Sequence, residues 1–111
     1  TRTRVYDGIV DLLEEYDVVV TPTLGVEPFP HGEYPTEIDG ESVSGVPTDA
    51  MLTWVFNMTG HPAVSVPAGF TDGGLPVGLQ VVGHRHAESD VLAVAAALEE
   101  ARPWVDQYPE L

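Results

Sequence analysis

Four serines, four histidines and a scatter of carboxylates are the side chains that could carry chemistry in this sequence. A serine nucleophile needs a base within hydrogen-bond reach. The serines are Ser42, Ser44, Ser65 and Ser89. Ser65 lies between Val64 and Val66 in a strand-like run, and Ser89 opens a helix-like one. Neither stands in the Gly-x-Ser-x-Gly turn that presents a hydrolase serine. A Ser–His–Asp triad can be written from Ser44, His61 and Asp49, but nothing in their spacing supports it. His84 and His86 flank Arg85 and would share one side of an extended segment, the geometry of a metal pair. Arg85 opposes a cation there, no motif places a third ligand, and a solvent-exposed turn is the plainer reading. Glu37, Asp39 and Glu41 cluster without the oxygen-ligand spacing of a calcium loop. The glycines at 69–74 lack the Lys-Ser/Thr ending of a phosphate loop. The residues alone therefore specify no catalytic constellation, metal site or cofactor site.

Composition narrows the classes further. The chain has 111 residues, enough for one domain with a modest core. Its 43% hydrophobic content argues against wholesale disorder. Net charge is -14, and the four basic residues are Arg2, Arg4, Arg85 and Arg102, with no lysine. Nucleic acid and anionic membrane surfaces both need clustered Lys or Arg, so neither is an expected partner. The carboxylates run from Asp7 to Glu110 rather than forming one acidic tail. Spread acidity without lysine suggests a salt-adapted protein; a merely soluble acidic surface is the plainer alternative. Cysteine is absent, so disulfides and thiolate metal sites are excluded. No apolar run approaches the ~18 residues of a membrane span. A cytoplasmic location is the default expectation. The chain starts at Thr1 rather than Met, which suggests a processed product, an excised domain or an incomplete gene, the last being favoured.

The elements that must position any site follow from periodicity. Residues 1–16 read as an amphipathic helix with Val5, Ile9, Leu12, Leu13 and Tyr16 on one side. Asp17–Thr21 reads as a strand buried on both faces, because its β-branched run has no polar alternation. A helix leading into such a strand is half of a β-α-β crossover whose first strand would lie upstream. Residues 24–47 are a long Pro/Gly-rich acidic loop, either a lid or a plain surface connection. Thr48–Phe56 reads as a short helix capped by Thr48 and terminated at Gly60. Ala63–Val66 is a strand closed by Pro67, residues 71–74 a turn, and Val77–Val82 a strand that can form a hairpin with it. Ala87–Ala101 is a closing helix with Val91, Leu92, Ala95 and Leu98 inward, stopped by Pro103. The fold class is α/β, a partial mixed sheet with flanking helices. All 111 residues read as a single domain whose apolar faces call for more strands.

Asp17-Val18-Val19-Val20-Thr21-Pro22-Thr23 resembles the strand and Pro-Thr segment of amidase signature enzymes. Asn57 to Gly69 resembles their Asn-x-x-Gly-x-Pro-Ala-x-Ser-x-Pro-x-Gly block. Leu75 to Gly83 resembles Leu-Pro-x-Gly-Leu-Gln-x-x-Gly, and Glu88 with the last helix follows in order. The resemblance implies the C-terminal piece of an α/β/α sandwich around a large mixed sheet. It also implies carboxamide hydrolysis by an upstream serine nucleophile, a cis-serine relay and a lysine base. This chain has no lysine, so by itself it is expected to be inactive. Thr53, Trp54 and Asn57 are the candidates it would offer to the wall around a small-molecule amide. Core packing is the plainer role for Trp54. The A subunits of glutamyl-tRNA amidotransferase carry an acidic recognition residue near here. Asp49 is close, but Ala50 takes the matching place, which favours a general amidase. The alternatives are such an A subunit or a stand-alone non-catalytic module. The sequence leaves homo-oligomerisation open.

Overall fold

The computed structural model describes residues 1–108; the last three positions of the 111-residue chain, and with them the end of the expected 1–111 domain, lie outside the described residues. Helix α1 spans Arg2–Glu15 and leads through Tyr16 into strand β1, Val18–Pro22. Strands β2 (Glu37–Ile38) and β3 (Glu41–Ser42) form a small hairpin in the long excursion that follows. A 3-10 turn at Pro47–Asp49 precedes helix α2, Trp54–Thr59. Strands β4 (Ala63–Phe70) and β5 (Pro76–Gly83) form the main hairpin, and helix α3 (Glu88–Ala101) closes the order. The α/β class is as expected, and the main sheet has the order β1-β5-β4, antiparallel at both pairings.

The central strand carries the core. Val81 and Val82 are fully buried, on opposite faces as strand alternation requires. Helix α3 covers the face that Gly83 shares with Val81: a methyl group on Gly83 would stand 2.6 Å from Val91 Cγ2. Gly83 is thus the bare spot that lets α3 approach. Helix α1 packs on β1 and α2, and Leu13 is its buried residue.

Several expectations need correction. Strand β1 is not buried on both faces. It lies at an edge of the three-stranded sheet and is half-buried, with Val20 48% exposed. The reading of 48–56 as one helix also fails. Asp49 turns its carboxylate back, accepting from the Ser44 hydroxyl at 2.6 Å and the Val46 N–H at 3.4 Å. That closes a 3-10 turn, Thr48 caps nothing, and α2 starts afresh at Trp54. Gly60 does terminate α2, at φ 74° with its N–H on the Phe56 carbonyl. Pro67 does not close β4. The strand runs on to Phe70 through a bulge between Pro67 and Gly69, because β4 is an edge strand and its proline withholds no ladder donor. Leu92 is not on the inner face of α3. It is 60% exposed, and Val94 takes its place beside Val91, Ala95 and Leu98.

The Ser44–Asp49 contact makes one expectation measurable. It is the largest of the effects that hold the Asp49 carboxyl below the ordinary carboxylate range. Ser44→Ala is therefore expected to raise the Asp49 titration midpoint, read by NMR of the side-chain carboxyl. An unmoved midpoint would show that Ser44 does not support this turn.

The excursion is closed at its base. Leu24 and Met51 form an isolated antiparallel bridge, and the Gly25 N–H donates to the Ala50 carbonyl at 2.8 Å. Its β2–β3 hairpin turns at Asp39 (φ 50°) and Gly40 (φ 79°). Both central residues at positive φ is the Asp-Gly type I′ pattern.

Candidate functional site

Register across the sheet builds a polar row. Thr21 and Ser65 both pair with Gln80, one from each side, so the three side chains share one face. Gln80 is 3% exposed, and its Nε2 donates to Thr21 Oγ1 at 3.0 Å. Thr21 in turn donates to the Pro22 carbonyl at 3.0 Å. The buried amide thus finds the partner that such burial demands.

A second polar link crosses the sheet one step along. Thr23 Oγ1 and Ser65 Oγ share a hydrogen bond of 2.6 Å. It passes over Gly78, where a Cβ would lie 2.7 Å from Thr23 Oγ1 and 2.8 Å from Ser65 Oγ. Glycine at 78 is what lets the two hydroxyls meet above the central strand.

Two hollows adjoin at Ser65. The first, of about 280 Å³, is flanked by α2 and lined by Thr53, Phe56, Asn57, His61, Ser65 and Gln80, with Ala63 and Val64. The second, of about 380 Å³, runs towards the main hairpin between Leu24, Val26 and Pro28 on one side and Val66, Pro67 and Val77 on the other. Thr23, Ser65, Pro76 and Gly78 complete it. Ser65 lines both; the first also carries Thr53, Asn57 and Gln80, and the second is lined mainly by apolar side chains.

Thr53 and Asn57 therefore face one hollow. Trp54 does not line it and is 49% exposed, so it is not packed into the core either. The cause is helical geometry: Thr53 and Asn57 are four apart and share a side, and Trp54 is turned about 100° away. Sequence reasoning misses Thr23 and Ser65 as residues of this wall. A signal for them exists, since a hydroxyl within an apolar strand and another just after one invite a cross-strand partner.

His61 sits at the rear of the first hollow, 7% exposed. Its Nδ1 is hydrogen-bonded to Thr59 Oγ1 at 2.9 Å, and its ring lies 5.4 Å from that of Tyr6 on α1. It packs in a turn. Ser44 and Asp49 bond each other directly, so no imidazole stands between them and no Ser44–His61–Asp49 triad forms. His84 and His86 are exposed, and His86 has φ 65°. Among the described residues no three His, Asp or Glu side chains gather as metal ligands.

Burial pushes the His61 imidazole below its ordinary value of 6.5, and the charges of Arg85 and His84 act in the same direction. A lowered histidine pKa means that the unfolded chain binds more protons in the window just below 6.5, so stability falls as pH falls through it. Urea midpoints are expected to drop between about pH 7 and about pH 5.5, and to drop less in His61→Asn. Identical drops in both proteins would remove His61 as the cause.

Comparison with known proteins adds the family context. The family model for Amidase matches residues 1–92. An acylamidase of Rhodococcus erythropolis is 38% identical over 109 residues, 97% of this chain and 23% of its own length. A fatty acid amide hydrolase of Arabidopsis thaliana is 40% identical over 103 residues, 92% of this chain and 17% of its own. The A subunit of the glutamyl-tRNA(Gln) amidotransferase of Lacticaseibacillus casei is 39% identical over 108 residues, 97% and 21%. The crystal structure of a bacterial aryl acylamidase, an amidase signature enzyme, superposes with a TM-score of 0.89 at 38% identity, covering 96% of this chain and 22% of that one. The glutamyl-tRNA(Gln) amidotransferase A subunit of Thermotoga maritima superposes with a TM-score of 0.73 at 36% identity, covering 93% and 21%. The chain thus spans about a fifth of the length of these relatives.

Proposed function

The chain belongs to the amidase family, and from that premise we propose that it is the C-terminal part of an amidase that hydrolyses a carboxamide C–N bond. Water is consumed, and a carboxylic acid and an amine or ammonia are released. The serine nucleophile, cis-serine relay and lysine base come from outside these 111 residues, which hold no lysine. This part contributes a substrate wall. Thr53 and Asn57 offer a hydroxyl and an amide to the polar hollow, Ser65 adds its hydroxyl, and buried Gln80 holds the sheet face beneath them. Trp54 borders the wall from outside the hollow. The single observation that carries the reading is the convergence of Thr53, Asn57, Ser65 and Gln80 on one hollow within the family-matched residues.

An amidase is favoured over an amidotransferase component on two grounds. The backbone follows the aryl acylamidase more closely than it follows the Thermotoga protein. Ala50 is buried where the amidotransferase A subunits would place an acidic residue. The surrounding properties complete the proposal: a salt-adapted, cytoplasmic enzyme that needs neither nucleic acid nor a membrane surface. No helix among the described residues is long and apolar enough to cross a membrane.

The test is kinetic. In the full polypeptide that carries this chain, Asn57→Ala and Thr53→Val are each expected to raise KM for an amide about tenfold, the size of one lost hydrogen bond to substrate. The 111 residues alone are expected to release no amine above background. Amide hydrolysis by the isolated chain, or wild-type kinetics in both variants, would contradict the reading.

A further inference from the structure

Ser65 stands exposed on strand β4, where an untethered serine hydroxyl moves among three staggered rotamers. Its hydroxyl is instead tied to Thr23 Oγ1 at 2.6 Å. Thr23 is a firm anchor. Its N–H donates to the Gly78 carbonyl at 3.0 Å, and its own carbonyl accepts from the Leu52 N–H at 3.4 Å. Its side chain is half-buried and β-branched, which restricts χ1. Gly78 keeps the space between the two hydroxyls clear, since a Cβ there would lie 2.7 and 2.8 Å from them. Leu52 directly precedes Thr53. Thr23 is therefore bonded to both sides of the polar hollow, to Ser65 through its side chain and to the segment entering α2 through its backbone.

We propose that Thr23 is a positioning residue, which fixes the Ser65 hydroxyl in the orientation from which Ser65 hydrogen-bonds the substrate amide. This rests on the amidase reading above and adds to it a residue that does not line the polar hollow. A hydroxyl has one donor and two acceptor positions, so the contact with Thr23 leaves Ser65 two for a substrate. The gain is preorganisation. A free Ser65 would have to be ordered as substrate binds, and that entropy would be subtracted from the contact.

The experiment measures KM and kcat of the full polypeptide on one simple amide, together with the urea midpoint of each variant. Ser65→Ala is expected to raise KM about tenfold. Thr23→Val, which removes the hydroxyl and keeps the shape, is expected to raise KM about fivefold, with kcat changed less than about twofold. Thr23→Ser, which restores the hydroxyl, is expected to return KM to within about twofold of the parent. In a Ser65→Ala background Thr23→Val is expected to add nothing further, the coupling that a merely structural role would not produce. Gly78→Ala wedges a methyl between the hydroxyls from the other side, and Gly78 is not at positive φ. It is expected to raise KM as Thr23→Val does, and again only where Ser65 is present. Equal effects of Thr23→Val with and without Ser65 would overturn the proposal and leave the amidase reading standing. So would a Thr23→Ser variant no better than Thr23→Val, or a wild-type KM in Ser65→Ala. Hydrolysis of no amide by the full polypeptide would remove both.

Discussion

Gly83→Ala is expected to destabilise the chain by about 1–3 kcal/mol, a cost that Val91→Ala should largely cancel. The added methyl would lie 2.6 Å from Val91 Cγ2, closer than real side chains approach. Val91 is 3% exposed on α3 and β-branched, so its rotamer has little freedom to retreat. Gly83 is not at positive φ, so alanine meets no backbone penalty and the whole cost is packing. Val91→Ala alone opens a cavity and should itself cost about 2 kcal/mol. The double variant should then be more stable than the sum of the single effects by at least about 1 kcal/mol. Urea unfolding of the four proteins measures this coupling. Additive effects would mean that α3 does not lie on the sheet as described.

Val81→Asp should abolish the folded state, whereas Val20→Asp should cost about 1 kcal/mol or less. The two residues are register partners and share a face of the sheet. Val81 is fully buried in the central strand, so an unpaired carboxylate there loses its hydration without compensation. Val20 is 48% exposed on the edge strand, where a carboxylate keeps its water. Circular dichroism and urea unfolding of the two variants separate the cases. Equal loss of structure in both would restore the expectation of a β1 buried on both faces.

That pair shows why parts of the fold are legible in the sequence and others are not. Helices α1 and α3 and the hairpin strands carry their own periodicity and turn residues, and α1 and α3 form within a residue or two of expectation. Burial of β1 depends on neighbours that a string of valines does not reveal. The same holds for Pro67, which ends a central strand but passes unnoticed on an edge. The short helix fails for a different reason. Asp49 is a good first-turn residue, yet its carboxylate finds Ser44 and Val46 behind it, and local hydrogen bonding competes with the helix. The Asp39-Gly40 dipeptide does announce a type I′ turn, and the surrounding prolines obscure it.

The candidate site divides in the same way. Thr53 and Asn57 are recoverable as a pair because residues four apart share a helix side, and that rule already sets Trp54 aside. Gln80 is expected to need a partner if buried, and Thr21 supplies it. The hydroxyls of Thr23 and Ser65 each invite a partner, but that they meet one another depends on the order β1-β5-β4 placing Gly78 between them. Chain order alone puts these two residues far apart.

The central claim is that these residues serve an amidase whose catalytic groups lie upstream. The most direct measurement is the DNA sequence immediately before the Thr1 codon. The account predicts an in-frame extension encoding a lysine and a Gly/Ser-rich stretch with paired serines. A stop codon with a local start just before Thr1 would contradict it and leave the chain a non-catalytic member of the family.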